Sequence, residues 1–199
     1  MLDDLMGALG GSGGGVAKTL GGLMGGDVPE DDRTEKAAGL SMEAILGGLA
    51  SNAKDPRQAA ALFETLDRHD GSVVDDAPAR LASDDVRADG DKILGHVFGD
   101  KTPAVAQGIA AKSGLDVGAV TKMLPALAPM VLGMLGKKKA SGGLDLGALT
   151  GMLQGEAGGL DLGELMGMLG GGAGGGGGGS APAGGLGGLL AKLKGLLGR

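Results

Sequence analysis

Cysteine is absent from the 199 residues, and so are tryptophan and tyrosine. Without cysteine the chain can form no disulfide, run no thiol chemistry and hold no Cys-ligated metal. That absence suits a reducing compartment, so the expected location is cytoplasmic. The only aromatic residues are Phe63 and Phe98. An excess of positive charge is also missing: 18 basic residues face 24 acidic ones, for a net charge of −6. This argues against nucleic acid as the main partner. The opening Met-Leu-Asp-Asp offers neither a basic n-region nor a long apolar h-region, so no secretory signal is expected. Glycine, by contrast, is abundant at 46 residues, too many to lie in packed helices. A large share of the chain is therefore expected to be flexible.

The strongest pattern runs from Gly114 to Gly136. Gly114 suits the left-handed position that closes a preceding helix, and Asp116 suits the N-cap of the next. Val117, Val120, Leu124, Leu127, Val131 and Met134 recur at steps of three and four, which puts them on one stripe. Met123, Met130, Leu132 and Leu135 widen it until the helix is apolar nearly all round, the mark of a buried helix. The uncharged run between Lys122 and Lys137 is shorter than the about 20 apolar residues a bilayer span needs. A central core helix is expected, bent where Pro125 and Pro129 remove backbone donors.

Further helices are expected on either side. One is capped by Thr34 and runs to about Asn52, with Ala38, Met42, Ile45, Leu46 and Leu49 inward. Asp55 and Pro56 are an N-cap and first-turn pair for the next, whose stripe is Ala59, Leu62, Phe63 and Leu66, and Asp70-Gly71 ends it. Ser72 and Asp75 suggest a capping box for a short helix. Ile93, Leu94, Val97 and Phe98 mark another helix, and Thr102-Pro103 starts one through Ala106, Ile109 and Ala110. Shifting Lys36 onto Lys122 superposes Leu46–Leu49 on Leu132–Leu135. That echo suggests two helices side by side, with Gly47 and Gly133 allowing close approach.

Composition divides the chain into five stretches: a Gly-rich segment 1–29, a helical domain 30–139, a Gly/Leu/Met tandem 140–169, a Gly-rich linker 170–185, and an amphipathic helix 186–199. The fold class expected is all-α, a compact multi-helix bundle with a long buried Pro-containing helix and flexible Gly-rich tails. Residues 30–139 are expected to fold alone and unfold cooperatively. In the first stretch, Leu2, Leu5, Met6 and Leu9 form one short amphipathic turn-and-a-half that needs a partner surface. Gly10 to Thr19 looks like a phosphate-binding loop, but Ser12 and Ala17 stand where glycines are required, so it reads as linker. In the tandem, residues 143–153 and 159–169 repeat one pattern and read as apolar patches on a flexible tail.

The span from Thr34 to Lys137 resembles an uncharacterised bacterial family, the domain of unknown function 937, related to YidB-like proteins. The resemblance is carried by Thr34-Glu35-Lys36-Ala37, by Leu46-Gly47-Gly48-Leu49-Ala50-Ser51-Asn52 and by Ala61-Leu62 through Leu66-Asp67-Arg68-His69-Asp70-Gly71-Ser72. Ile93-Leu94-Gly95-His96-Val97-Phe98-Gly99, Ser113-Gly114-Leu115-Asp116 and Leu124-Pro125-Ala126-Leu127-Ala128-Pro129 continue it in order. The resemblance implies an all-helical domain and implies no activity.

Few residues suggest chemistry. His69 and His96 are the only histidines, and a transition-metal site built on them would have only carboxylates to complete it. His69 falls at a helix end, where its charge favours the dipole, and His96 stands beside apolar Val97 and Phe98, so both read as structural. Asp85, Asp89, Gly90 and Asp91 match part of a calcium loop, but Arg87 and His96 occupy positions that need oxygen ligands. No catalytic set and no cofactor is expected. Residues 110–123 have the spacing of a helix-turn-helix, yet Gly118, Ala119 and Thr121 would read little in a groove. At the C-terminus, Leu186, Leu189, Leu190, Leu193, Leu196 and Leu197 share one helical face, with Lys192, Lys194 and Arg199 nearby. The expectation is a non-enzymatic interaction or assembly module that uses these leucines on a protein partner or in self-association. The alternatives are DNA binding through 110–123 and association with a membrane surface through 186–199.

Overall fold

The computed structural model describes residues 15–24, 28–75 and 83–156, together with Gly7, Arg80 and Leu81. These residues form an all-α bundle, and no strand occurs among them. The helices are α1 (Gly15–Leu23), α2 (Asp32–Asn52), α3 (Pro56–Thr65), α4 (Ser72–Asp75), α5 (Asp84–Phe98), α6 (Thr102–Ser113), α7 (Val117–Ala140) and α8 (Leu146–Glu156). Short 3-10 turns, Leu66–Arg68 and Gly99–Lys101, follow α3 and α5.

The bundle is organised around α7. Its side chains are buried nearly throughout from Ala119 to Gly136, against α2, α5 and α6 and the turn after α3. The helix is long and apolar enough to cross a membrane, but most of its apolar length is covered by protein. It starts as expected: Gly114 is left-handed at φ 78°, and the Asp116 carboxylate accepts from the Gly118 N–H at 2.7 Å. Val117, placed on the core stripe by spacing, is 41% exposed. The helix runs unbroken through Pro125 and Pro129. Proline 129 has no N–H to offer the carbonyl of Pro125, four residues earlier. Gly90 of α5 packs against that freed oxygen: a Cβ there would lie 1.8 Å from it. The glycine Cα is thus close enough for a Cα–H···O contact. Farther along, a Cβ at Gly136 would lie 1.6 Å from the His69 carbonyl oxygen.

Several starts differ from expectation. Asp31, not Thr34, caps α2, by accepting from the Arg33 N–H. Thr34 is buried and its hydroxyl donates to the Pro29 carbonyl. The Ser72 hydroxyl does not begin α4; the Asp70 carboxylate does, accepting from the Ser72 N–H at 3.0 Å. Thr102 donates its hydroxyl to the Gly99 carbonyl instead of capping α6. The echo between α2 and α7 does correspond to two helices in contact. Gly133, however, makes its close approach to Gly71 and Val74 and not to α2, while Gly48, next to Gly47, faces Val97 and Phe98.

The packed body reaches beyond the 30–139 span read from composition. Residues read as linker form α1, which buries Val16, Ala17 and Leu20 against α2. The first tandem copy is not a patch on a loose tail. Its Asp145 carboxylate caps α8 by accepting from Ala148 N–H, and Leu144, Leu149 and Leu153 are buried against α2 and α3. Removing α1 and α8 is therefore expected to weaken the core. A chain trimmed to 30–139 should unfold at a lower denaturant midpoint than one spanning 15–156, since each buried leucine contributes roughly 1.5–3 kcal/mol. Equal midpoints would show that the flanking helices lie on the domain without stabilising it.

Candidate functional site

The polar side chains with unusual surroundings gather where the end of α3 meets α5 and α7. The turn after α3 is tied to the end of α7 by lysines, the residues a helix C-terminus favours. Lys139 donates to the Phe63 carbonyl and pairs with Asp67, both at 2.7 Å, and its ammonium stands 3.9 Å over the Phe63 ring. Lys137 pairs with Asp75.

His69 lies inside this arrangement, with 13% of its side chain exposed. Its Nδ1 is 3.1 Å from the Thr65 carbonyl and its Nε2 is 3.0 Å from a carboxylate oxygen of Asp89 on α5. The ring thereby links the last turn of α3 to α5. The His96 side chain is exposed, while its neighbours Val97 and Phe98 turn inward on α5. Its carbonyl accepts from the Asn52 amide at 3.1 Å. Next to His69, the Asp70 carboxyl is held below the ordinary carboxylate range by the Ser72 N–H, by the Ser72 hydroxyl and, less strongly, by the charge of Arg80. A lowered pKa means that this turn is favoured above the ordinary carboxylate value, and that the contribution disappears as pH falls through the lowered one.

Two hollows open here. One is a cleft of about 440 Å³ whose charged and titratable lining is Arg68, Arg80, Lys92, His69, His96, Asp70 and Asp89. Three basic side chains thus stand there beside two carboxylates, on a chain of net charge −6. The other is an apolar groove of about 290 Å³ lined by Leu49, Leu62, Ile93, Val97 and Leu132, with Ala61 at its edge. Thr65, Ile93 and His96 line both, so the groove runs into the cleft. Sequence reading found the two histidines but not the groove, whose walls come from four helices far apart in the chain.

The other sequence candidates fall elsewhere. Asp85, Asp89, Gly90 and Asp91 are helical residues of α5, begun by Ser83, and form no loop around an ion. No group of three or more His, Asp or Glu side chains able to hold a metal occurs among the described residues. Residues 110–123 do form two helices joined at Gly114, but the second is α7. Only Val117, Gly118, Thr121 and Lys122 of its first turns are exposed. Leu186, Leu189, Leu190, Leu193, Leu196 and Leu197 lie outside the described residues, as do residues 1–6 and the second tandem copy.

Among known families, that of bacterial proteins of unknown function, DUF937, matches residues 3–138. The chain belongs to the DUF937 family. The match takes in α1 as well as the span from Thr34 to Lys137 that carries the resemblance, and it ends within α7. The groove and the cleft are thus features of the DUF937 region, whereas α8 and the second tandem copy lie beyond it. No curated protein and no solved structure matches the chain.

One consequence of the His69 geometry is measurable. In a cycle of His69→Ala, Asp89→Ala and the double variant, a coupling of about 0.5–1 kcal/mol is expected, modest because Asp89 is half exposed. Additive effects would mean that the two residues stabilise the bundle separately.

Proposed function

We propose that the protein is a non-enzymatic interaction or assembly module that acts through short leucine-rich helices joined to the DUF937 bundle. The observation that supports this reading is α8. It carries three glycines in eleven residues, Gly147, Gly151 and Gly155, yet it seats Leu149 and Leu153 fully in the bundle. A helix so short and so rich in glycine is marginal alone and forms by docking. Residues 186–197 have the same character, with six leucines on one face and glycines at 187, 188 and 195. Burying each of those leucines is worth roughly 1.5–3 kcal/mol, so the segment carries enough apolar surface to hold a partner. The chain's net charge of −6 favours a protein partner, including a second copy, over an anionic membrane.

The test is a full-length chain carrying Leu189→Asp and Leu193→Asp, compared with the unaltered chain. Mass by light scattering and capture of partners from the native cell should both fall if the segment docks on protein. Loss of binding to anionic liposomes instead would assign Lys192, Lys194 and Arg199 to a membrane surface. No change in any of the three readouts removes the proposal.

A further inference from the structure

The first of the two tandem copies shows how such a segment docks. Residues 143–153 and 159–169 align at a shift of 16: Leu144 with Leu160, Asp145 with Asp161, Leu149 with Leu165 and Leu153 with Leu169. In the first copy, Leu144, Leu149 and Leu153 are buried on the bundle and Asp145 caps the helix, while Leu146 remains 39% exposed. The second copy keeps all four of these positions. It also replaces Ala148 with Glu164, three residues after Asp161. An acidic residue there suits the first turn of a helix and adds a second negative charge at its start.

Three leucines with that spacing need an apolar surface, and two carboxylates at one end need cations beside it. The groove between α2, α3, α5 and α7 supplies the first: half-buried Leu62 lines it together with Leu49, Ile93, Val97 and Leu132, which are 2–9% exposed. The adjoining cleft supplies the second. Of its cations, Arg68 and Lys92 have no carboxylate partner within ion-pair distance among the described residues, and the structure pairs His69 with Asp89. Chain length keeps the second copy near α8. Gly159 comes three residues after Glu156, the end of α8, and α8 already packs on α2 and α3, which form two walls of the groove. At about 3.5 Å per extended residue, the second copy has little slack to reach a distant face.

We propose that residues 159–169 dock in this groove of their own chain, with Leu160, Leu165 and Leu169 inward and Asp161 and Glu164 toward the cationic cleft. The groove is then a site that a leucine-rich segment with acidic residues at its start occupies. Any outside partner that binds the groove must resemble that segment and displace it. This does not rest on residues 186–197 docking anywhere, and the two segments are separated by the placement of labels.

The chain has no cysteine, so a single spin label can be placed at will. A full-length chain carrying Gly170→Cys and a nitroxide should broaden the amide signals of Ala61, Leu62 and His96 and leave Ala106 and Ile109 unchanged. Leu165→Asp with Leu169→Asp should restore the broadened signals. Leu62→Glu, at a half-buried position, should restore them from the other side while the helical circular dichroism stays intact. Absence of broadening overturns the proposal. So does broadening that appears only when spin-labelled chains are mixed with isotope-labelled ones, since the occupant is then a second copy. Broadening of the groove from a label at Arg199→Cys, with none from position 170, assigns the groove to the C-terminal leucines and overturns it too.

Discussion

Alanine at Gly136 or Gly90 is expected to destabilise the protein by about 3 kcal/mol or more, the upper end of what overpacking does. The same substitution at Gly39 or Gly95 is expected to stabilise it by up to about 1 kcal/mol, the usual gain when alanine replaces glycine in a helix. All four residues are helical, so propensity alone predicts one sign for all. What differs is the space a Cβ would enter. At Gly39 and Gly95 nothing lies within 4 Å. At Gly136 a Cβ would lie 1.6 Å from the His69 carbonyl oxygen and 2.9 Å from that of Leu66; at Gly90 it would meet three backbone atoms of Pro125. Backbone cannot rotate aside as a side chain can, so the helices must part. Parting the helices would also remove Gly90 from the Pro125 carbonyl that Pro129 leaves without a helical donor. Denaturant midpoints followed by helical circular dichroism decide the matter, because the chain has no tryptophan for fluorescence. A stabilising effect at Gly136 or Gly90 would mean that α7 does not approach those segments so closely.

Leu127→Ala should lower stability by about 2–5 kcal/mol, the range for removing a fully buried leucine side chain. The residue lies midway along α7, between Pro125 and Pro129, where the helix is enclosed on all sides. Close packing leaves the site little freedom to collapse, which favours the upper part of the range. Val117→Ala, in the exposed first turn of the same helix, should change stability by no more than about 0.5 kcal/mol. Similar losses at the two positions would show that the first turn is covered in solution.

These comparisons also mark what was legible in the sequence. Capping pairs were read correctly at Asp55-Pro56 and from Gly114 to Asp116, but not at Thr102-Pro103, where the hydroxyl turns back to the Gly99 carbonyl. The apolar faces of α2, α5, α6 and α7 followed from spacing, since a buried stripe leaves its period in the chain. Thr34 misled because a buried hydroxyl and an N-cap use the same residue types; only the Pro29 carbonyl above it tells them apart. Glycine hid α1 and α8. Val16, Leu20 and Met24 do recur at steps of four, as Leu149 and Leu153 do, but each stripe is interrupted by residues that disfavour an isolated helix. Tertiary burial outweighs that disfavour, and it cannot be seen until the receiving surface exists. The groove was invisible for a related reason: Leu49, Leu62, Ile93 and Leu132 carry no shared signal along the chain.

The position of α7 sets an order of events during synthesis. Helices α2, α3, α5 and α6 are all made before the element on which they converge. A ribosome adds about 5–20 residues per second, so the apolar face of α2 waits several seconds for its central partner. Over that interval the nascent chain presents a row of unsatisfied aliphatic surfaces, and folding completes in one late step when α7 arrives. The protein is thus expected to depend on chaperones while it is being made, even though the finished bundle encloses its core.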